Sequence, residues 1–321
     1  MLSCKHMRDD KKRFLRRSLQ VFVSSFIAVA IIGAFVYVTQ GRDIPVLHPS
    51  GTIAQQQQVL ILITVGLGFF VVVPVFILLF VIAWRYRAGN KKAKYDPELE
   101  GNHGLEALWW GIPCLIILTL AIITYISTHA LDPYKEIQSD KKPVAVQVIS
   151  LNANWLFIYP EYNTATLNFM NIPEKTPINL SITSDAPMNS FWVPALAGQI
   201  YSMSGMTTKL HFMSDGQGTY NGATANISGA NYADMTFKVH ALSETAFKDW
   251  TQTASGSQNT LTSESYTKLA ALHENKPVTT YSLKDSKLFD EVIMKYMNSG
   301  EHTKTPVKNE TEHGSMEGVN M

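Results

Sequence analysis

At 321 residues the chain is long enough for two domains, with 46% apolar and 17% charged residues spread unevenly along it. The formal net charge of +1 gives no reason to expect a nucleic-acid partner, but it hides an asymmetry. Residues 1–130 carry 13 basic and 7 acidic side chains, and residues 131–321 carry 14 and 19. The two cysteines, Cys4 and Cys114, lie in a basic leader and in an apolar block, so no disulfide is expected.

Three uncharged apolar blocks, residues 19–40, 59–84 and 107–127, precede residue 130. Each contains the roughly 20 apolar residues that cross a bilayer. Buried helices of a soluble core are the alternative, but such helices are usually shorter and striped with polar residues. Seven Lys/Arg precede the first block, one lies between the first and second, and five lie between the second and third. The positive-inside rule therefore predicts a cytoplasmic N-terminus and a large domain outside.

The first block, with its basic leader, resembles a signal peptide or a signal-anchor. Because the apolar stretch is long and lacks a small-x-small cleavage site, an uncleaved anchor is favoured over a cleaved signal. Cys4 precedes the apolar region instead of following it, so a lipid on this cysteine is not expected. Translation from Met7 would remove Cys4 altogether, and the start at Met1 or Met7 stays open.

The outer part is rich in β-forming residues first and in helix-forming residues later. Short alternating runs between residues 142 and 242, separated by Gly and Pro, predict an antiparallel sandwich or barrel of roughly 100 residues. After Ser243, three segments with Ser at or near their starts predict short helices. The polar tail from residue 301 predicts disorder, and we interpret its potential ligands as solvated: His302, His313, Met316 and Met321.

Several ordered motifs resemble one known family. The stretches "LEALWWGIPCLIIL", "NWLFIYPE" and "MNSFWVPALAGQIYSMSGM" are similar to subunit II of the haem–copper respiratory oxidases, and the resemblance runs from about residue 45 to about 300. It implies a cupredoxin-like antiparallel β-barrel outer domain on a transmembrane helical hairpin, with an N-terminal anchor helix and a short helical C-terminal extension. The predicted parts are 1–44 (leader and anchor), 45–130 (hairpin), 131–243 (β-domain), 244–300 (extension) and 301–321 (tail).

The stretch "YNGATANISGANYADM" keeps the spacing of a copper loop, Cys-x3-Cys-x3-His-x2-Met, but only its methionine is a good metal ligand. The resemblance places Thr224 and Ser228 at the bridging cysteines and Asn226 at a glutamate that offers its backbone carbonyl. It also places Asn189 and Tyr232 at the two histidines, while Met235 keeps the methionine. Hydroxyl groups do not replace the thiolates that hold soft copper. The resemblance therefore implies a degenerate site that binds no metal.

The missing copper favours the quinol oxidase branch, of the cytochrome bo type. Quinol dissolves in the bilayer and needs no copper relay from cytochrome c. The tryptophan through which electrons enter in the copper branch falls on Ala153, and only the second tryptophan of that pair, Trp155, remains. The resemblance implies no cofactor in this chain, haems and copper in a partner subunit I, further oxidase subunits, ubiquinol as substrate of the complex, and no cytochrome c. It also implies multi-pass insertion in the bacterial inner membrane, with the large domain periplasmic.

Glu106 lies at the predicted cytoplasmic start of the third block. A first-turn carboxylate also complements the helix dipole, which is the structural alternative. The family's glutamate at the matching position marks the mouth of a proton path into the catalytic subunit, so the resemblance favours Glu106 as the point of proton entrance. Two other functions stay in view: a copper electron carrier of the same fold, which the missing cysteines disfavour, and a membrane-anchored binding or scaffold domain unrelated to respiration.

Overall fold

The computed structural model describes residues 33, 37, 44–87, 90, 101–229 and 232–297. The chain forms two compact units, residues 1–48 and residues 49–321. Apart from residues 33 and 37, the predicted N-terminal anchor lies outside the described residues. So do Cys4, residues 91–100 between the second and third apolar blocks, and the tail with its histidines and methionines. The bounds of the five predicted parts stay predictions.

Two long apolar helices form the membrane part of the second unit. Helix α1 spans Thr52–Arg85 and helix α2 spans His103–Ala130, and they contain the second and third apolar blocks. Both are long and apolar enough to cross a membrane, and none of the most apolar part of either helix is buried within the chain. A buried core helix would show the opposite, so their exposed faces suit contact with lipid or with other subunits.

Twelve strands, three shorter α-helices and two 3-10 helices, Pro160–Tyr162 and Tyr232–Asp234, supply the other regular elements of the described part of this unit. The α-helices are α3 (Glu244–Ser255), α4 (Ser263–Ala270) and α5 (Leu288–Met297). The strands are β1 (Val144–Ser150), β2 (Trp155–Tyr159), β3 (Thr164–Leu167), β4 (Phe169–Pro173), β5 (Ile178–Ser184), β6 (Asn189–Trp192), β7 (Ile200–Ser202), β8 (Thr208–Phe212), β9 (Gly218–Thr224), β10 (Thr236–Leu242), β11 (Thr260–Leu261) and β12 (Thr279–Leu283).

The strands form two sheets with a core between them. The order is β11-β12-β3-β2-β1-β5-β8 in the seven-stranded sheet and β4-β10-β9-β6-β7 in the five-stranded sheet. Four aromatic residues, Trp155, Phe157, Phe191 and Phe237, lie in this core, each at most 2% exposed. Burying each such side chain stabilises the fold by roughly 1.5–3 kcal/mol. Helices α4 and α5 cover the outer face of the seven-stranded sheet and form a second core there.

This two-sheet sandwich is the cupredoxin-like architecture that the resemblance implied, but its strand pairing is mixed. Strand β1 pairs with β5 in parallel, and β10 pairs with β4 in parallel. The chain leaves the first sheet through β4 before it returns as β5, and such a crossover brings β5 beside β1 in the same direction. The predicted helical extension also supplies β11 and β12, and β12 covers the edge of the sheet at β3.

The start of α1 is fastened to the β-domain. Ser50 N donates to Ala195 O at 2.7 Å, and Gly51 forms an isolated antiparallel bridge with Ser214. A side chain at Gly51 would meet two backbone carbonyl oxygens at 2.8 Å, so only glycine fits this approach. Gln55 Nε2 then donates to Asp215 Oδ2 at 2.6 Å. The first turn of α1 is therefore held against the loop between β8 and β9.

Candidate functional site

The first residue of β6 and the residue before β10 meet at one end of the sandwich. Asn189 and Met235 are at most 1% exposed, and Asn189 Nδ2 lies 3.9 Å from Met235 Sδ. The same amide donates to Ser150 Oγ at 3.3 Å. The two positions that the resemblance assigned to a ligand histidine and a ligand methionine are therefore neighbours in space.

Thr224, at the end of β9, joins this pair. Its backbone N–H donates to Met235 O at 3.1 Å. Its hydroxyl accepts a hydrogen bond from Trp155 Nε1 at 3.2 Å. Asn226 follows in the loop, and its Nδ2 donates to Met188 O at 3.1 Å. The loop is thus seated against the strand that carries Asn189.

Ser228 and Tyr232 lie further along the same loop and are half-buried. Gly229 between them has a φ of 152°, a backbone conformation that favours glycine. Tyr232 N donates to Gly229 O at 3.4 Å, and Met235 N donates to Tyr232 O at 3.2 Å. These backbone bonds return the chain to Met235, while Ala230 and Asn231 lie outside the described residues.

The donor set at this place does not fit a binuclear copper pair. Thiolates and imidazoles are the ligands of such centres, whereas these positions offer an amide, hydroxyls, a phenol and a single thioether. The buried Oδ1 of Asn189 has no hydrogen-bond partner. Across the described part of the chain, no group of three or more His, Cys, Asp or Glu side chains could hold a metal ion.

Ala153, the position matched to the lost tryptophan, lies in the turn between β1 and β2 and is 1% exposed. Its neighbours contact the C-terminal part of the chain: Asn152 Nδ2 donates to Ala270 O at 3.1 Å, and Asn154 Nδ2 donates to Glu274 O at 2.9 Å. This position is therefore covered by the protein itself.

A buried carboxylate that sequence reasoning missed lies close by. Asp185 follows β5, and its side chain is 1% exposed. Asp185 Oδ2 accepts from Tyr266 OH at 2.8 Å, and Asp185 Oδ1 accepts from Lys295 Nζ and Tyr296 OH, both at 2.7 Å. The hydrogen bond to Asp185 raises the pKa of Lys295. Burial, with a smaller contribution from the same carboxylate, raises the pKa of Tyr266.

A cleft of about 470 Å³ opens beside this carboxylate, between the β1–β2 turn and helices α4 and α5. Ser263 on its wall has acidic neighbours: its Oγ donates to Asp285 Oδ2 at 2.7 Å and lies 3.2 Å from Oε2 of Glu291, which also lines the cleft. The local sequence around Asp185, "ITSDAPMNS", gives no signal for this site, because the partners of the carboxylate are 81 to 111 residues away.

Glu106 lies in the first turn of α2. Asn102 caps this helix, and its side chain accepts from Gly104 N at 3.0 Å and from Leu105 N at 3.1 Å. Glu106 Oε2 lies 3.3 Å from His103 Nδ1, and the glutamate side chain is 42% exposed. The carboxylate therefore stands at the surface, at the boundary of an apolar helix, within reach of one imidazole.

Three other histidines of the described part have local partners. His129 Nδ1 lies 2.8 Å from Tyr125 O, and His240 Nδ1 lies 2.9 Å from Thr219 Oγ1. His211 is the buried member of this group, with Nδ1 2.8 Å from Asn179 Oδ1.

Comparison with known proteins identifies families that match the β-domain and the C-terminal extension. Residues 145–242 match the family described as "Cytochrome C oxidase subunit II, periplasmic domain", and residues 256–300 match the family described as "COX Aromatic Rich Motif". Subunit 2 of cytochrome bo(3) ubiquinol oxidase from Pseudomonas putida is 46% identical over 262 residues, 81% of this chain and 83% of that protein.

Two further relatives span similar lengths. The protein of the same description from Pseudomonas aeruginosa is 41% identical over 261 residues, 81% of this chain and 79% of that protein. Ubiquinol oxidase subunit 2 from Acetobacter aceti is 39% identical over 284 residues, 88% of this chain and 92% of that protein.

Proposed function

The chain belongs to the quinol oxidase subunit 2 family, and from this premise we propose that it is the copper-free subunit 2 of a proton-pumping terminal oxidase. The complex would oxidise ubiquinol and reduce O2 to water on haems and copper held by subunit I. This chain would contribute no redox group. The observation that supports this proposal is the Asn189–Met235 pair beside Thr224, in which a copper-type frame holds no thiolate and no imidazole.

The identity of the electron donor explains why a copper-type frame can lack its metal. A soluble donor protein docks on the outer face, where its electrons need a relay on this domain. Ubiquinol instead dissolves in the bilayer and reaches a haem within the membrane part directly. The chain would then support assembly and stability of the complex through its two exposed apolar helices. It would lie in the bacterial inner membrane with the β-domain periplasmic.

We assign proton entrance to Glu106 within the same proposal. An acid at a membrane boundary can collect protons from the aqueous phase and pass them to an interior path. Glu106 is partly exposed, and its helix start is fixed by the Asn102 cap, so the carboxylate is both accessible to water and held in place. The acceptor would belong to subunit I.

Purification of the native complex tests the proposal. We expect a haem-containing subunit to copurify with this chain in detergent, and we expect quinol-dependent O2 consumption. The full chain expressed without subunit I should contain no stoichiometric copper by elemental analysis and no charge-transfer band in the visible. A binuclear complement of copper in the lone chain would contradict the copper-free assignment, and a haem-free purified assembly would favour the scaffold alternative.

A further inference from the structure

Two loops build the degenerate copper frame. The loop of residues 185–188 leads from β5 into Asn189, and the loop of residues 225–235 leads from β9 to Met235. Where they meet, the side-chain contact between the two frame positions is one N–H···S hydrogen bond of 3.9 Å. Sulfur of a thioether is a weak acceptor, so this contact adds little to holding the loops together. The two loops also share a neutral hydrogen bond, from Asn226 Nδ2 to Met188 O at 3.1 Å.

Both loops also accept hydrogen bonds from residues 256–297, which we call the aromatic-rich segment. On the first loop, Asp185 precedes Asn189 by four positions, and its two carboxylate oxygens accept from Tyr266, Lys295 and Tyr296 of this segment. Hydrogen bonds to an ionised group are roughly twice as strong as neutral ones. Removing one of these donors leaves a buried carboxylate oxygen with less compensation, which is destabilising even though the other two donors remain.

On the second loop, the hydrogen bond to the aromatic-rich segment joins uncharged groups. Asn275 Nδ2 donates to Asp234 O, the carbonyl of the residue before Met235. Asn275 Oδ1 in turn accepts from Asn168 Nδ2 at 3.0 Å, and Asn168 is 5% exposed with a φ of 60°. Asn168 Oδ1 accepts from the backbone of Trp155 at 2.8 Å. A continuous set of hydrogen bonds therefore joins the aromatic-rich segment, the second loop and the tryptophan that bonds to Thr224.

We propose that the aromatic-rich segment is a clamp that holds the two loops of the frame where metal–ligand bonds hold them in a copper-bearing domain. The proposal rests on the copper-free function proposed above. Metal binding contributes folding free energy because its ligand bonds cross-link segments far apart in sequence. A domain without the metal lacks those cross-links, and here the contacts of Asp185 and Asn275 link the same two loops to one common body. Asp185 and Asn275 are thus positioning residues of the frame.

According to the proposal, the clamp and a bound metal are alternative ways of holding the two loops. Loosening the clamp should therefore matter less when a metal is bound. A copper-competent chain is obtained by Asn189→His, Thr224→Cys, Ser228→Cys and Tyr232→His, with Met235 retained. Tyr266→Phe and Asn275→Ala then loosen one loop each in both backgrounds. The control is Lys268→Met on the same helix, α4, which removes an exposed ion pair of 2.7 Å between Lys268 and Glu264.

The measurement is amide hydrogen exchange of residues 185–189 and 225–235 in the full detergent-solubilised chain. In the native background, each clamp variant should speed exchange in its own loop about tenfold, since each leaves a polar group without its partner. In the copper-loaded background, the same variants should change exchange by less than threefold, as the metal holds the loops. Lys268→Met should change neither.

Equal effects with and without copper would overturn the proposal. If the four substitutions yield no copper binding, the native background decides: acceleration confined to the affected loop supports the clamp, and uniform acceleration or none contradicts it. Copper in the native chain would instead refute the proposed function, and elemental analysis reports that separately.

Discussion

The indole Nε1 of Trp155 donates a hydrogen bond to the hydroxyl of Thr224 at 3.2 Å. The indole is fully buried, and its ring packs edge-on against Phe191 with the ring centres 5.5 Å apart. Thr224 is the position matched to a bridging cysteine, so this side chain now ties the loop of the frame to the aromatic core. The Thr224 hydroxyl thereby has a structural role in the fold.

Thr224→Val should destabilise the outer domain by about 1–3 kcal/mol, because it keeps the shape of the side chain and leaves a buried indole N–H without an acceptor. Thr224→Ser keeps the acceptor and is the matched control. Urea unfolding of both variants, followed by circular dichroism, measures the difference. Equal midpoints for Val and Ser would show that the hydroxyl contributes nothing.

Much of the fold could be predicted from local patterns. The uncharged blocks at residues 59–84 and 107–127 exceed the length of ordinary core helices, and they form α1 and α2. Alternation in "TPINLSITSD" predicted a strand, and β5 lies there. The adjacency of Asn189 and Met235 followed from the resemblance, since 46 residues separate them and no local pattern links them.

Other features depend on long-range pairing that no local pattern encodes. The parallel pairing of β1 with β5 arises from a crossover through the second sheet. Strand β11 has two residues, too few for any periodicity, and it is defined by its partner β12. Asp185 accepts hydrogen bonds from two tyrosines and a lysine of helices α4 and α5. The spacing of these three residues in the sequence gave no sign that they share a partner.

Acid should weaken the outer domain through His211. Burial is the largest effect on the pKa of this histidine and lowers it. The nearby charge of Glu136 opposes this shift, and that of Lys209 adds to it. The buried Nε2 of His211 has no hydrogen-bond partner. A folded pKa below the unfolded value means that the stability is present above the unfolded pKa, about 6.5, and is lost as pH falls through the folded pKa. Burial also lowers the pKa of His240, which acts in the same direction.

Thermal unfolding of the chain between pH 5 and pH 8 measures this effect. His211→Gln should reduce the dependence of the midpoint on pH, and His240→Gln should remove a further part in the double variant. Full acid sensitivity in His211→Gln would show that other groups control it.

Labelling of single cysteines in intact cells tests the predicted topology. After replacement of Cys4 and Cys114 by serine, a cysteine at Lys141 should react with an impermeant reagent, and a cysteine at Lys91 should not. The reason is the bias of five to one in Lys/Arg between the two loops that link the apolar blocks. Reaction at position 91 would reverse the orientation. N-terminal sequencing that begins near Arg42 would keep the orientation and leave two spans in the mature chain.

Glu106→Ala should slow quinol oxidation per haem while leaving assembly and haem content near normal. Alanine is the best helix former, and the lost interaction with the helix dipole is worth only about 0.3–1 kcal/mol. The contact with His103, whose side chain is fully exposed, adds little to this. These losses are too small to unfold a helix that the Asn102 cap still fixes, so a slower rate would reflect proton uptake.

Three companion variants separate the proton-entrance role from a structural one. Glu106→Asp keeps the acid on a shorter side chain and should recover part of the rate, whereas Glu106→Gln keeps the shape and should not. His103→Gln removes the imidazole that lies 3.3 Å from the carboxylate and leaves the acid in place, so its turnover should stay close to that of the parent. The decisive quantity is turnover per haem, because a structural carboxylate would lose activity only in proportion to lost complex. Parental turnover per haem in the Ala, Asp and Gln variants alike would exclude Glu106 as the point of proton entrance.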